Sequence, residues 1–371
     1  MIKRCIFHIP YTLSGRSASG SSIRPQRMLE AFQNIGYKVS VVLGNSAQRK
    51  KQIADIKNDM EKGIQFDFVY SEASTMPTLL TDSHHLPFHP LLDFSFLKLC
   101  KHRGIPIGLF YRDIYWKFPI YTASVGRFRA AIARLFYQYD IKQYEHLLTT
   151  FYVPTRGVSD LIQSPRLSRI VRELPPGAPR NVVVDYDNVA RLPRPLHLLY
   201  VGGLGNQYDI SYVLDTVVAN SNYELTICTR ENDWLSWASS HPDISQCSRI
   251  HIVHTSGNGL EPLYKNADIC LLFLKPHPYL KIAVPVKLME YLGHGIPIIE
   301  TEGSAGSDIV SKFSIGWVIP YTKLALQSLL LQLLNDPSEI VFARRHCLDA
   351  IEENTWESRA RQVAYDLGVQ L

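Results

Sequence analysis

A lysine and a glutamate three residues apart, Lys287 and Glu290, stand inside the stretch VPVKLMEYLGHGIPIIETEG at residues 284–303. Pro285 suits the first turn of a helix and Gly293 or Gly295 its end, so the spacing puts both charges on one helix face. A pair of this kind is most often a solvated surface contact. Here it lies just ahead of the apolar run Ile296–Ile299, near the carboxyl edge of a sheet, where open α/β folds bind ligands. A cation at the helix start suits a phosphate, and a carboxylate one turn on suits a pair of ribose hydroxyls. Upstream, LLYVGGLGNQYDI sets Gly202, Gly203 and Gly205 between a strand and a helix. Glycines let backbone approach a ligand, and a helix N-terminus offers free amides and a positive dipole, a place for a diphosphate. The third glycine and the following acidic residue do not have the dinucleotide-fingerprint spacing, and a plain strand-to-helix turn accounts for the segment equally well.

The first half holds a second set. GLFYRDIYWKFP places Arg112 and Asp113 just past a buried strand. An aspartate there can take a proton from a bound hydroxyl, or it can cap a turn. The stretch TLSGRSASGSSIRP reads as a loop after the first strand, and its Gly15, Arg16, Gly20 and Arg24 suit a phosphate or an acceptor. DYD at 185–187 imitates a metal-binding pair, but it falls in a proline-rich stretch and not after a strand. A helix over 126–146 interleaves Arg127, Arg129 and Arg134 with Phe128, Ile132, Leu135 and Phe136. That mixture suits an anionic membrane surface, as well as a crossover helix with a wet polar side.

The elements that must position these residues alternate. Strands are expected at Cys5–Ile9, Lys38–Leu43, Phe66–Tyr70, Ile105–Tyr111 and Leu147–Val153. In the second half they are expected at Leu196–Val201, Tyr223–Cys228, Ile250–Val253, Ile269–Phe273 and Ile296–Ile299, mostly with helices between. Two α/β domains with doubly wound parallel sheets follow: residues 1–173 and 196–353, joined by the linker LPPGAPRNVVVDYDNVARLPRP at 174–195. The chain has 371 residues, more than one core normally serves. Asn354 with Glu357 resembles a capping box, opening a last helix at 354–371 whose apolar face can pack back on the first domain. MIKRCIFHIPYTL is too short and too interrupted for a signal peptide and reads as the first strand. Six cysteines without paired spacing point to reduced thiols in a cytosolic protein. Residues 1–150 carry 20 Lys+Arg against 11 Asp+Glu, and residues 151–371 carry 19 against 23. The basic half suits an anionic partner, a lipid surface or a phosphorylated substrate.

PVKLMEYLGHGIPIIET resembles the P-x-K-x-x-E-Y-x-x-x-G-x-P block of GT-B glycosyltransferases, in particular the family-four-like enzymes of bacterial polysaccharide assembly. YVGGLG is similar to their glycine turn, LEPLYKNADICLLFL to their L-x-x-L-Y-x-x-A-D segment, and NTWESRARQ to their terminal helix. The resemblance covers residues 174–371 in order and is weaker over 1–173. It implies two Rossmann-like domains facing across a cleft, a nucleotide-sugar donor (UDP- or GDP-linked) on the second, a glycan or lipid-diphosphate-saccharide acceptor on the first, and no cofactor or metal. Glu290 would bind the donor ribose, Lys287 and the Gly202–Gly203 amides its diphosphate, and His254, Ser256 and Gly257 would lie near the base. Family-four enzymes usually carry another glutamate eight residues earlier, where this chain has Ile282; Lys275, His277, Tyr279 and Lys281 occupy the loop that would face the sugar. The expected function is glycosyl transfer in cell-surface polysaccharide synthesis, in the cytoplasm or on the inner face of the membrane and without nucleic acid. A sugar-nucleotide 2-epimerase and a non-catalytic GT-B-like subunit are the alternatives.

Overall fold

The computed structural model describes residues 2–13, 20–180, 195–205, 208–239, 241, 244 and 246–369. Gly15, Arg16, the 185–187 triplet and most of the expected linker, residues 181–194, lie outside the described residues. The chain divides into two compact units, Met1–Pro176 with Trp356–Leu371, and Gly177–Thr355.

Unit one is built on β1 (Arg4–His8), α1 (Gly20–Asn34), β2 (Lys38–Val42), α2 (Ser46–Glu61), β3 (Phe68–Glu72), α3 (Leu92–His102), β4 (Ile107–Phe110), α4 (Pro119–Val125), α5 (Arg127–Leu147), β5 (Thr150–Val153), α6 (Arg156–Ile162), α7 (Pro165–Arg169) and β6 (Val171–Glu173). Its strands form one sheet in the order β2-β1-β3-β4-β5-β6, and every pairing is parallel. The inner strands β1, β3, β4 and β5 are buried almost throughout, as strands covered on both faces by crossover helices are. Phe7, Phe32 and Tyr70 meet at ring-centroid distances of 5.3–6.4 Å, and each such contact contributes about 0.5–1.5 kcal/mol beyond burial. The final helix of the chain joins this core through Trp356, Ala360, Val363, Ala364 and Leu367.

Unit two follows the same plan with β7 (Leu196–Val201), α8 (Ser211–Ala219), β8 (Tyr223–Cys228), α9 (Glu231–Ala238), β9 (Ile250–Val253), α10 (Glu261–Asn266), β10 (Ile269–Leu272), α11 (Val286–Gly293), β11 (Ile298–Thr301), α12 (Ser307–Phe313), β12 (Gly316–Ile319), α13 (Lys323–Asn335) and α14 (Ser338–Asn354). The strand order is β12-β11-β10-β7-β8-β9, again all parallel. Apolar clusters cover both faces of this sheet. The last helix of the chain, α15 (Trp356–Asp366), belongs to unit one.

Two local expectations need correction. The stretch 12–25 is not all loop: α1 begins at Gly20, so Arg24 stands on a helix with Pro25 behind it. Asn354 does not open the last helix. It closes α14, its side-chain amide donating to Ala350 O at 2.8 Å, while Glu357 accepts from Asn34. The segment between β2 and β3 forms α2, fixed at its start by a capping box between Asn45 and Gln48.

Candidate functional site

Lys287 and Glu290 lie on one face of α11 and are ion-paired through Glu290 Oε2. The same oxygen accepts the hydroxyl of Tyr264, from α10, at 2.9 Å. Tyr264 is buried, and its ring lies 4.1 Å from that of His294. His294 is fixed in turn by Glu290 O at 2.7 Å and Glu261 at 3.2 Å. Burial, reinforced by the Glu290 charge, pushes the Tyr264 hydroxyl up, so it stays a donor. Both contacts fall on Oε2; Oε1 has no partner among the described residues. Lys287 is therefore not a free cation, since its charge is matched by Glu290 within the helix turn. Tyr291 ties this helix to the central strand, its hydroxyl accepting Val201 N–H at 3.0 Å. Val201 ends β7 and leads straight into the glycine turn.

That turn differs from the expected cradle in two ways. Gly202 N–H donates to Cys228 O at 3.0 Å, continuing the ladder to β8, so this amide is not available to a ligand. Gly203 keeps its amide outside the ladder, and its carbonyl accepts the Tyr200 hydroxyl at 2.7 Å. Gly205 has φ +126°, which side-chain-bearing residues rarely adopt. The helix start beyond is taken as well: Asp209 accepts the Ser211 amide at 2.9 Å and its hydroxyl at 2.5 Å. A carboxylate stands where a diphosphate was expected to meet the dipole of α8. The start of α11 has no side-chain cap, with Pro285 before it and Lys287 in its first turn.

The remaining donor candidates come from neighbouring loops. His254 is exposed beyond β9 and fixed by Nδ1 on Thr229 O at 2.9 Å. Ser256 and Gly257 are exposed on the same loop. Tyr279 is half-buried in the turn Pro278–Lys281, whose Leu280 carbonyl accepts Ala305 N–H at 2.8 Å. Ile282, at the position of the family's other glutamate, is 6% exposed, so an ionised side chain there would carry a desolvation cost. Behind that loop, Glu300 is fully buried with Oε1 on Ser304 at 2.7 Å and Oε2 unpartnered, and burial pushes its carboxyl up to about 8.

In unit one the sheet's carboxyl edge gathers Arg112, Asp113 and Arg24. Asp113 accepts Tyr115 N–H at 2.7 Å, the contact of a turn aspartate. Arg112 donates to Tyr11 Oη at 2.7 Å and to Glu72 at 3.0 Å. Glu72, the last residue of β3, also accepts the Tyr70 hydroxyl at 2.8 Å. Gly20 is the first residue of α1. Beside this group lies a buried chain of polar contacts: Ser71 Oγ to His8 Nδ1 at 2.8 Å, His8 Nε2 to Asp93 at 3.0 Å, and Asp93 to Arg49 at 2.9 Å. Burial alone would raise the Asp93 carboxyl, but the His8 hydrogen bond and the His8 and Arg49 charges outweigh it and hold it low. The sequence reading missed Glu72, His8, Asp93 and Tyr264. Glu72 had a signal, a carboxylate directly after the apolar run FVY.

No protein-family model and no curated protein sequence matches the chain. Solved structures do. HepE from Anabaena, in complex with UDP, superposes with a TM-score of 0.65 at 10% identity, over 98% of this chain and 99% of that one. WaaG, a glycosyltransferase involved in lipopolysaccharide biosynthesis, gives 0.60 at 14% identity over 98% and 99%. The lipopolysaccharide outer core galactosyltransferase WaaB gives 0.55 at 12% over 98% and 99%. At such identities the likeness is one of architecture, and with two six-stranded parallel sheets in one polypeptide the chain has the GT-B fold.

Proposed function

We propose that the chain is a glycosyltransferase that takes a hexosyl group from a nucleoside-diphosphate sugar and passes it to a glycan or lipid-linked saccharide in cell-surface polysaccharide synthesis. The observation that carries this reading is the Glu290 carboxylate, held through Oε2 by Lys287 and Tyr264 and keeping Oε1 for a ligand. The structural likeness to HepE, described with UDP and with UDP-glucose, and to WaaG supports it.

In this reading unit two holds the donor. Glu290 accepts the ribose hydroxyls. Lys287, the Gly203 amide and the start of α11 meet the diphosphate, whose charge grows as the sugar departs; donors already in place there lower the barrier. His254 and Ser256 border the base, and Tyr279 with its loop borders the sugar. Unit one holds the acceptor, with Asp113 orienting its hydroxyl or taking its proton. The test is calorimetric titration with UDP and GDP, followed by turnover with nucleotide sugars and lipid-diphosphate saccharides. Nucleotide binding without turnover on any acceptor favours the non-catalytic alternative. Absence of nucleotide binding removes the reading altogether.

We also propose that α5 rests on an anionic membrane. Phe128, Ile132 and Leu135 are 79%, 40% and 67% exposed and recur at four- and three-residue steps, which is one helix face. Arg127 and Arg129 are exposed beside them, whereas Arg134 is held by Trp116 O and Thr122. No described helix is long and apolar enough to cross a membrane, so the contact would be interfacial. Flotation with phosphatidylglycerol vesicles should recover the protein at low salt and lose it at high salt. A Phe128→Ser protein that floats as well as the parent would refute the role of this face.

A further inference from the structure

Arg24 is 3% exposed, and none of its three guanidinium nitrogens has a hydrogen-bond partner among the described residues. Its face is covered: the guanidinium carbon lies 3.5 Å from the Phe110 ring centroid and 5.8 Å from that of Trp356. Its nearest carboxylate, Glu72, approaches Nε only to 3.5 Å. Both Glu72 oxygens are already engaged, Oε1 by Tyr70 and Oε2 by Arg112. Another guanidinium, Arg359 on α15, is close enough that its pKa is lowered to about 10, first by burial and then by the Arg24 charge. A buried guanidinium without hydrogen bonds is expensive, and a native fold that keeps one calls for an explanation.

The position suggests what that explanation is. Glu72 and Phe110 are the last residues of β3 and β4, and Tyr11 follows β1. All three stand at the carboxyl edge of the sheet, where this class of fold binds ligands. A guanidinium with its face stacked and its edges unused presents the fork that fits a phosphate by two parallel hydrogen bonds. Arg112, 12% exposed, and half-buried Tyr11 border it on the side nearer solvent.

We propose that Arg24, flanked by Arg112 and Tyr11, is a binding group for a phosphate carried by a ligand of unit one. Glu72 is its counterweight, a carboxylate that steadies the buried cations until the phosphate arrives. The proposal rests on the glycosyltransferase reading only for the source of that phosphate, a phosphate group on the acceptor that unit one would hold.

The experiment uses the full chain, with inorganic phosphate as the probe and chloride at equal ionic strength as the control. Phosphate should raise the melting temperature above the chloride control. Arg24→Gln should lose at least tenfold in phosphate affinity, and Arg24→Lys, which keeps the charge without the fork, should fall between. Glu72→Gln should bind phosphate several-fold more tightly than the parent; a merely structural ion pair would lose stability there without gaining affinity. That last variant keeps the test open if Arg24 variants do not fold. UDP and a hexose phosphate then test the source: unchanged UDP affinity with lost hexose-phosphate affinity in Arg24→Gln supports the acceptor assignment, and the converse overturns it. No phosphate effect on the parent, or unchanged phosphate affinity in folded Arg24→Gln, overturns the proposal. Glu290→Ala should bind phosphate normally, so failure of the donor assignment and failure of this site are distinguishable.

Discussion

Removing the Glu290 carboxylate should cost nucleotide affinity and stability by separable amounts. If Glu290 Oε1 takes the ribose hydroxyls as proposed, the charge-assisted hydrogen bonds are worth about 1.5–3 kcal/mol, so Glu290→Ala should weaken UDP binding roughly ten- to hundredfold. The same change strips the hydroxyl of Tyr264, 5% exposed, of its acceptor at 2.9 Å. An orphaned buried hydroxyl costs about 1–3 kcal/mol, read as a fall in melting temperature of roughly 2–4 °C per kcal/mol for a unit of this size. Glu290→Gln separates the effects, because an amide oxygen can still accept from Tyr264 but carries no charge for the ribose: stability should stay near the parent while affinity drops. Lys287→Ala removes one side of a pair whose side chains are 24% and 17% exposed, and a pair that open contributes at most about 1 kcal/mol to stability. Because Lys287 orients the carboxylate it pairs with, the double variant should lose less affinity than the two single losses added, a coupling of about 0.5–3 kcal/mol. Isothermal titration with UDP and thermal melts on the parent and the four variants supply every quantity. A Glu290→Gln protein that binds UDP as tightly as the parent would refute the reasoning, and strictly additive single losses would break the link between the two residues.

Glu300 has its carboxyl raised to about 8 by burial, so the folded state holds a proton there that the unfolded chain releases near its ordinary 4.5. Stability should therefore fall as pH rises across that window, by on the order of a few kcal/mol, and Glu300→Gln should flatten the dependence in melts taken from pH 5 to 9. Asp93 is held low, and the opposite sign applies: its contribution is present above its unfolded value and is lost as pH falls through the folded one. Asp93→Asn should destabilise unit one by about 3–5 kcal/mol at neutral pH, as breaking a buried ion pair does, and should blunt its acid unfolding. Asp113→Asn keeps an oxygen for Tyr115 N–H and so should fold normally. If Asp113 takes the acceptor proton, turnover should fall roughly a hundredfold or more, and an inverted product anomer by NMR with near-normal turnover would remove it from the mechanism.

How much of this was legible depended on the range of the interaction. Tyr223–Cys228 and Ile250–Val253 alternate apolar residues with polar ones at Glu224, Thr226 and His251, a local two-residue period, and were read at their observed limits. Helix α2 was missed because its buried apolar residues are only Ile53, Ile56 and Met60 in a highly charged segment, although the capping pair Asn45 and Gln48 was there to be read. Strand β6 is three residues long, too short to show a period, and β12 opens on a glycine and has no fully buried residue. The pairing of Lys287 with Glu290 is a local consequence of helix geometry and could be inferred from spacing. The grip of Tyr264 on Glu290 spans 26 residues, and that of Arg112 on Glu72 spans 40. Neither has a local pattern, since only the packing of strands and helices brings those partners together. The Asp209 contact with Ser211, the first residue of α8, illustrates the reverse case, a local motif that changes what a helix start can bind.

The return of α15 to unit one has a consequence for biosynthesis. Unit two is an insertion: the chain leaves one unit, completes another, and comes back to finish the first. Asn34 and Glu357, which join across the seam between α1 and α15, are 323 residues apart. A ribosome making this protein synthesises the whole of unit two before the residues that close unit one exist. Until then the first-made half lacks Trp356, Val363 and Leu367 from its core, and its aromatic interior waits open during translation. The first-made half can complete its core only after the last helix is made, and until then its exposed apolar surface is open to misassembly.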